Sequence, residues 1–329
     1  MFNFKPLRAI FSLNSANLGH GIIALTILFS PHSLLAIING KAANEKRFDA
    51  VGSLKIGKNG KVGCTATLIA ENWIVTADHC IHETTSTSEE DIGKPLLPSQ
   101  YEFRLGNDFK KPFFKSSMKR WVSGPKINNE TLDIAFGELS QSVPTKKLGL
   151  NLIIASTQQW VSRDLQDIYW NIGYGVLEAF TNKKFPLSNK RQLAQLTVTA
   201  TGGNALLNLF GNSENLRHYI NKFHPEAFEA GTLEAIIANG ELLPQYSIHA
   251  WDAHGREDLI NIKIPEGGWQ DTCFGDSGGP LLREVEGQLR IMGVVSQGMD
   301  RICSPLGTRF TIFGPEVKKL MQELSIPIK

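Results

Sequence analysis

The sequence predicts an all-β protein, and three features of the chain support that prediction. From residue 37 onward, short runs of apolar, β-branched and aromatic residues recur along the chain. Turn residues separate these runs, and helical patterns are confined to one internal stretch and the C-terminus. Several short strands with turns between them are typical of a sandwich or barrel architecture. The runs cover residues 66–70, 73–76, 101–105, 132–136, 192–199 and 289–296.

Length and composition indicate an ordinary globular protein. The chain has 329 residues, enough for one large domain or two small ones with a buried core. Its residues are 42% apolar and 20% charged. The net charge of +2 gives no reason to expect nucleic acid or an acidic membrane surface as a partner. We expect no cofactor, and the sequence does not indicate an oligomeric state.

Residues 1–36 differ in character from the rest of the chain. Lys5 and Arg8 give a basic start, residues 22–30 form an apolar segment, and Pro31 ends it. That segment is too short for a membrane span, which needs about 20 apolar residues. We predict a secretory signal peptide over residues 1–36, with an amphipathic anchor or a disordered tail as alternatives. The mature protein is then secreted or periplasmic, without a stable membrane span.

Helical periodicity replaces the β pattern between about residues 204 and 239. Two amphipathic helices are predicted there, the second beginning at Pro225. A third helix is predicted over residues 315–324, with Pro315 at its first position. We expect the apolar faces of these helices to pack against the core. Their members are Leu216, Tyr219, Ile220 and Phe223 in the first, Phe228, Leu233 and Ile236 in the second, and Val317, Leu320, Met321 and Leu324 in the third.

A glycine-rich string, G-D-S-G-G-P, covers residues 275–280. A serine hydroxyl is a poor nucleophile unless a base removes its proton. An acyl-transfer site also needs backbone N–H groups directed at the oxyanion that forms. Glycines on both sides of Ser277 allow the tight backbone conformation that presents such groups. Ser277 is therefore a candidate nucleophile.

Two further residues could complete such a site. His79 lies in T-A-D-H-C, directly after the apolar run 68–75, so we expect it at a strand end. Asp133 lies in L-D-I-A-F, where a charge inside an apolar run is costly unless it is paired. That position suits a carboxylate that orients a histidine. A histidine beside a cysteine could instead be structural, or one half of a metal site.

In the order His, Asp, Ser, these three motifs resemble those of the chymotrypsin/trypsin family of serine peptidases. Residues 37–40, I-I-N-G, resemble the family's mature N-terminus, and residues 63–69 resemble the strand before its histidine. The resemblance covers nearly all of residues 37–329 except the helical stretch, which we interpret as an insertion at about residues 202–243. It implies the family's fold, two antiparallel six-stranded β-barrels with the active site between them.

The resemblance also assigns roles to individual residues. It implies a catalytic triad in which Ser277 attacks the peptide carbonyl, His79 transfers the proton, and Asp133 orients the histidine. The backbone N–H groups of Gly275 and Ser277 form the oxyanion hole. The residues assigned to the substrate groove are Asp271, Ser296 and Gly298, of which Ser296 also supports the aspartate.

The chain has four cysteines, and in an exported protein an even number indicates two disulfides. From the residues alone, three pairings are possible. None of the spacings contains the close C-x-x-C pair of a typical zinc site, so we expect no metal. The family resemblance implies the pairs Cys64–Cys80 and Cys273–Cys303, and the second pair closes the specificity pocket.

Asp271 occupies the position that forms the floor of the primary pocket in the family. A buried carboxylate there favours Arg or Lys before the scissile bond. An ordinary turn aspartate after Gly267-Gly268 is the alternative. Two residues depart from the family pattern: Asp78 stands where a small residue usually precedes the catalytic histidine, and Thr308 replaces a small pocket residue. Thr308 would narrow the pocket and weakens the prediction of Arg or Lys.

The resemblance also implies a route of activation. In the family a free N-terminal Ile pairs its ammonium group with the Asp before the catalytic serine, here Ile37 and Asp276. Most relatives carry Arg or Lys before that cut, whereas this chain has Ala36 at the end of its apolar segment. One signal-peptidase cut after Ala36 would release and activate the enzyme. Leu34 is unfavourable for that cut, and a cut near Ser33 followed by trimming is the alternative.

The sequence therefore predicts a secreted serine endopeptidase that acts on protein or peptide substrates. A catalytically silent family member that serves as a binding module is the alternative, because Asp78 and Thr308 depart from the family pattern. An esterase of the α/β-hydrolase type also uses G-x-S-x-G. Its triad begins with serine and ends with histidine, and the opposite order here excludes it.

Overall fold

The computed structural model describes residues 37–57, 62–82, 93–157, 167–175, 189–223, 225, 233–253, 269–299, 303 and 306–329. The predicted signal peptide, residues 1–36, lies outside these residues, as does Phe228 of the second predicted helix. Most of the described elements are β-strands, so the all-β prediction is confirmed.

The elements fall into two groups along the chain. The first contains β1 Lys41–Ala42, β2 Val51–Ile56, β3 Val62–Ala70, β4 Trp73–Thr76, β5 Tyr101–Leu105, β6 Phe114–Ser123, β7 Lys126–Ile127, β8 Glu130–Thr131, β9 Ala135–Leu139, α1 Thr145–Leu148 and β10 Ile154–Ala155. The second contains β11 Tyr169–Gly173, β12 Gln192–Ala200, β13 Gly203–Asn204, α2 Ala205–Phe210, α3 Ser213–Phe223, α4 Leu233–Asn239, β14 Glu241–Leu242, β15 Ser247–Asp252, β16 Pro280–Val285, β17 Gln288–Gly298, β18 Thr308–Ile312 and α5 Pro315–Glu323.

The first barrel is closed by the strand order β2-β3-β4-β9-β6-β5, and every pairing is antiparallel. Strand β5 shows why these residues form a barrel wall. Its side chains alternate, with Tyr101, Phe103 and Leu105 buried and the residues between them turned outward. Burying one face of each strand stabilises the closed sheet, because apolar surface leaves water and no strand edge stays unpaired.

The second barrel has the order β12-β11-β16-β17-β18-β15 and closes where β15 pairs with β12. It is also six-stranded and antiparallel, so the predicted pair of barrels is confirmed. The interior residues include Tyr169, Leu196, Ile248 and Phe310, and the side chain of Ile37 joins this core. Strand β1 adds to the edge of β12, which carries the segment after Ile37 onto the second barrel.

Helices α2 to α4 lie between the short strands β13 and β14, which pair with each other. Leu216, Tyr219 and Ile220 of α3 are buried, as the helical periodicity predicts. They pack in one cluster with Trp251, Trp269, Met299 and Leu306 of the barrel side. Pro225 lies in a turn, and the described part of α4 begins at Leu233.

The C-terminal helix α5 matches its prediction. Pro315 occupies its first turn after Gly314, and Val317 and Met321 are buried. Leu320 and Leu324 pack against the same core as partly buried side chains. None of the helices in the described part of the chain has the length and apolar character that a membrane span requires.

One predicted strand begins later than the sequence suggests. The apolar pattern of residues 132–136 predicts a strand throughout, but β9 begins only at Ala135. The N–H of Ile134 donates to the carbonyl of Leu132 at 2.7 Å, which turns the chain sharply at Asp133. The carboxylate of Asp133 then contacts His79 and Ser296, so polar contacts override the β-propensity of this run.

Candidate active site

His79 sits directly after a strand of the first barrel. Strand β4 ends at Thr76, and a short 3₁₀ helix covers Asp78–Ile81. A disulfide joins Cys80, the residue after His79, to Cys64 in β3. The N–H of His79 donates to Asp133 Oδ1 at 2.9 Å. The cross-link and this backbone bond fix the position from which the imidazole projects.

Asp133 holds the imidazole through its own carboxylate. His79 Nδ1 lies 3.0 Å from both Oδ1 and Oδ2 of Asp133. The hydroxyl of Ser296 donates to Oδ2 at 2.7 Å. The pairing of β17 with β18 is irregular between Val295 and Gln297, and this bulge directs Ser296 at the aspartate. Because the carboxylate accepts at Nδ1, the proton of a neutral His79 resides there and Nε2 is left as the base.

The two groups shift each other's pKa in the directions expected for an ion pair. Burial raises the pKa of Asp133, but the hydrogen bonds and charge of His79, with Ser296, outweigh it and lower the net pKa. Burial lowers the pKa of His79, but the hydrogen bond and charge of Asp133 outweigh it, and the net pKa is raised. The arrangement therefore favours a carboxylate that stabilises an imidazolium.

A second carboxylate, that of Asp78, belongs to the residue before His79 in the chain. Asp78 is 9% exposed, and its Oδ2 is 3.4 Å from His82 Nδ1. Its Oδ1 has no hydrogen-bond partner among the described residues. Burial raises the pKa of Asp78 against the lowering effects of Ser123, His82 and His79. The charge of Asp78 in turn contributes to the raised pKa of His79.

The loop that carries Ser277 packs against the first barrel through Thr65. The N–H of Thr65 donates to the carbonyl of Ser277 at 2.9 Å, and its hydroxyl donates to the carbonyl of Gly275 at 2.9 Å. Gly278 has a φ of +77°, and a Cβ there would lie 2.0 Å from the hydroxyl oxygen of Thr76. Only glycine allows this approach to the strand that leads to His79.

The structure brings the Ser277 loop and the His79–Asp133 pair to the same region but does not join them by a hydrogen bond. Within the described part of the chain, no hydrogen bond links the Ser277 hydroxyl to His79. The backbone N–H groups of Gly275 and Ser277 likewise donate to no described residue. Free amides in this loop are what an oxyanion hole requires, and the hydroxyl–imidazole bond is often long without substrate.

Asp271 is buried at 2% exposure behind the Ser277 loop. Its carboxylate accepts from the N–H of Thr272 at 2.7 Å, the N–H of Gly307 at 2.9 Å and the hydroxyl of Thr308 at 2.7 Å. The Thr308 hydroxyl also meets that of Thr272 at 2.6 Å. The disulfide Cys273–Cys303 begins at the residue after Thr272. Thr308 therefore reaches the carboxylate, where a glycine would leave space.

Ile37 and Asp276 are both completely buried. The N–H of Ile38 donates to the carbonyl of Asp271 at 2.9 Å, which holds the segment against Asp271. The carboxylate of Asp276 accepts from the amides of Gly175 at 2.8 Å and Cys273 at 3.0 Å. Burial raises the pKa of Asp276 to about 7.

Among the residues that the structure describes, one cluster of metal-ligand residue types lies at the site. The ligand atoms of Cys64, His79 and Cys80 are within 4.8 Å of one another. Both sulfurs are joined in a disulfide with an S–S distance of 1.95 Å, so neither is a thiolate that could bind an ion. The same two cysteines therefore serve to position His79.

Sequence reasoning missed three residues that contribute to the site. Thr65 is not predictable from the sequence, because a threonine in a strand has no distinguishing pattern. Its role is evident only from the hydrogen bond between its hydroxyl and the carbonyl of Gly275. His82 and Arg309 were missed because their significance depends on contacts with Asp78 and with strand β17. Spacing along the chain could have suggested only His82, which follows Asp78 by one helical turn.

Comparison with known proteins agrees with this architecture. The Trypsin family profile matches residues 37–205 and 241–313, and the gap coincides with the helices of the insertion. Mannan-binding lectin serine protease 1 of Mus musculus is 22% identical over 282 residues, which is 83% of this chain but 33% of that protein. Human testisin is 26% identical over 268 residues, covering 80% of this chain and 70% of that protein. Trypsin of Phaedon cochleariae is 23% identical over 295 residues, which is 88% of each.

The pair of six-stranded barrels is the fold of a trypsin-like serine protease, and the profile match extends over most of the chain. The chain belongs to the Trypsin family.

Proposed function

We propose that this protein is a serine endopeptidase that uses Ser277, His79 and Asp133 as its catalytic triad. The observation that carries the proposal is the hydrogen-bonded series from Ser296 to Asp133 to His79. The close approach of Gly278, next to Ser277, to Thr76, three residues before His79, supports it. This arrangement leaves Nε2 of His79 as the base and Ser277 as the nucleophile.

The reaction follows from the position of each group. Nε2 of His79 removes the proton as the Ser277 oxygen attacks the peptide carbonyl, and the imidazolium is stabilised by Asp133. The free amides of Gly275 and Ser277 donate to the oxyanion. Collapse of the tetrahedral species breaks the C–N bond, and His79 protonates the leaving amine. Water then hydrolyses the acyl-enzyme by the same proton transfers in reverse.

We further propose a preference for Arg or Lys before the scissile bond. The support is the buried carboxylate of Asp271, which favours a cationic side chain in the pocket. Thr308 occupies part of the space and one of the acceptor positions. The pocket is therefore shallower than one with glycine at this position.

The proposed cellular location is outside the cytoplasm, in the periplasm or the medium. The two disulfides support it, because such bonds persist in oxidising compartments. The apolar segment within residues 1–36 supports export.

Reaction with a fluorophosphonate probe tests the assignment of Ser277. The purified wild-type protein should become labelled and hydrolyse peptides, and Ser277→Ala should lose labelling and about 10⁶-fold in turnover. Unfolding midpoints of the two proteins check that the variant is folded. A wild-type protein that is folded, begins at Ile37 and neither labels nor hydrolyses any member of a peptide library would instead be a binding module.

A further inference from the structure

Arg309 lies on strand β18 directly opposite Gln297 of β17. Its Nη2 donates to Oε1 of Gln297 at 2.8 Å, and its Nη1 donates to the carbonyl of Glu241 at 3.5 Å. Glu241 belongs to β14, which ends the helical insertion. The guanidinium is thus held between the insertion and the strand that carries Ser296 and Gly298.

This guanidinium carries a positive charge, and no carboxylate of the described residues is bound to it. None of the ion pairs among the described residues includes Arg309. The side chain of Glu241 is directed elsewhere, to Asn204 Nδ2 at 2.9 Å. Burial lowers the pKa of Arg309 and the charge of Asp133 raises it, but arginine stays protonated in proteins. A half-buried cation of this kind gains from an anion that reaches it.

Arg309 lies outside the primary pocket, so it does not recognise the substrate residue directly before the scissile bond. Thr308, the preceding residue, directs its hydroxyl to Asp271 on the pocket floor. Side chains alternate along a strand, so Arg309 faces the opposite side of β18, where Gln297 also lies. By the family resemblance, Ser296 and Gly298 line the groove for the substrate. Gln297 lies between these two residues on β17, so the guanidinium bound to it lies beside that groove and outside the primary pocket.

We propose that Arg309 is a specificity-determining residue that selects substrates with an Asp or Glu side chain upstream of the residue in the primary pocket. The proposal rests on the endopeptidase function proposed above and names the substrate class of that site. The guanidinium fork has five N–H donors, and the contacts to Gln297 and Glu241 leave donors for a carboxylate.

The test is a set of fluorogenic peptides that share one residue before the cut and differ only upstream, with Glu, Gln or Lys at each position. At low ionic strength, the wild-type enzyme should show kcat/KM about tenfold higher for Glu than for Gln at one upstream position, and lower still for Lys. Arg309→Gln should remove that preference, and Arg309→Lys should retain part of it. The preference should also decline with added salt.

Arg120→Gln is the matched control, because it removes the same charge from an exposed arginine of β6 in the first barrel. It should leave the Glu preference unchanged. The fluorophosphonate-labelled fraction of each variant shows that its active site is intact. A wild-type enzyme that labels and cleaves but prefers Gln or Lys, or an Arg309→Gln enzyme that keeps the Glu preference, overturns this proposal alone. A wild-type protein that neither labels nor cleaves overturns the endopeptidase function, and this proposal with it.

Discussion

At the scale of single residues, two carboxylates act on His79, and of the two only Asp133 is hydrogen-bonded to the imidazole. Asp78 acts on the imidazole through its charge, because no hydrogen bond joins their side chains among the described contacts. A negative charge near an imidazolium stabilises the protonated form and raises the pKa of the histidine. In the proposed mechanism His79 must be neutral to act as a base, so we expect Asp78 to determine in part the pH above which the enzyme is active.

We predict that Asp78→Asn moves the acidic limb of the pH profile to lower pH. The variant removes a charge that contributes to the raised pKa of His79, so this pKa falls. The expected displacement is about half a pH unit, the size of a partly screened interaction. The measurement is kcat/KM on one peptide across the acidic range, since that profile reports the free enzyme.

Glu323→Gln provides a control for loss of one negative charge, because Glu323 is exposed at the end of α5. Its pH profile should coincide with that of the wild type. An Asp78→Asn profile that also coincides with the wild type would show that the charge of Asp78 has no effect on His79.

A second prediction at this scale concerns the pocket floor. Asp271→Ser should lower kcat/KM for substrates with Arg or Lys before the cut by at least about 100-fold more than for other substrates. Thr308→Gly should raise turnover of the same basic substrates, since it frees space and one carboxylate acceptor. Peptide-library profiling of the three proteins measures both effects. A wild-type preference for aromatic or small residues at this position would contradict the assignment.

Some residues of the candidate site can be predicted from the sequence, and others are recognised only in the folded structure. His79, Asp133 and Ser277 lie in short motifs whose residue types are rare together, so the sequence alone predicts them. Thr65 and Arg309 act through side-chain contacts with segments distant in the chain, such as the 2.9 Å bond from Thr65 to Gly275. No pattern of neighbouring residues encodes such a contact, and only the folded chain shows it.

At the scale of elements, alternation predicts strands well where one face is buried. The runs 73–76 and 101–105 coincide with β4 and β5. The run 132–136 fails because Asp133 gains more from its contacts with His79 and Ser296 than from continuing the strand. How the strands pair, and that each set closes into a barrel, follows from the family resemblance and not from the alternation.

We predict that the helical insertion restricts the access of folded proteins to the substrate groove. Asn239 Nδ2 donates to the carbonyl of Met299, the residue after Gly298, at 3.1 Å. Helices α2 to α4 thus stand beside the strand assigned to the groove. We predict that removing residues 205–239 raises cleavage of folded proteins several-fold relative to cleavage of small peptides. The ratio of the two rates on the same preparation is the measurement.

Deletion would expose Trp251 and Trp269, so a milder variant is needed alongside it. Leu216→Ala opens a cavity under α3 at a cost of about 2–5 kcal/mol and should move the ratio in the same direction. Arg217→Ala, on the exposed side of the same helix, should not move it. If neither the deletion nor Leu216→Ala changes the ratio, the insertion does not restrict access.

At the scale of the whole molecule, the segment after Ile37 is anchored to both barrels. Arg191 is fully buried, and its guanidinium donates to the carbonyls of Ala43 at 3.0 Å, Phe48 at 2.6 Å and Val51 at 3.2 Å. It also pairs with Asp49 at 2.9 Å. A buried guanidinium needs such a set of acceptors to offset its lost hydration. The segment is thereby held with Ile37 in the core of the second barrel.

The last prediction concerns activation by the cut before Ile37. In the full chain, Asp276 is buried with two amide donors and without a cation among its described contacts. Its pKa is raised from 3.8 to about 7, so between these values the unfolded chain loses a proton that the folded chain keeps. Stability present below pH 4 is therefore lost as the pH rises toward 7, by about 1.4 kcal/mol per pH unit. A free ammonium group at Ile37 should prevent this loss of stability, because it favours the ionised carboxylate of Asp276.

We therefore expect a protein that begins at Ile37 to be active, and one that retains Ala36 to be at least about 100-fold less active. In a Ser277→Ala background, which prevents self-digestion, urea unfolding at pH 4.5 and pH 7 should show a larger loss of stability for the form with Ala36. Asp276→Asn should abolish that difference between the two forms, and in the active background it should silence the form that begins at Ile37. N-terminal sequencing of the exported protein identifies the natural cut. Full activity with Ala36 in place, or equal pH dependence of the two forms, would show that Ile37 and Asp276 do not form the activating pair.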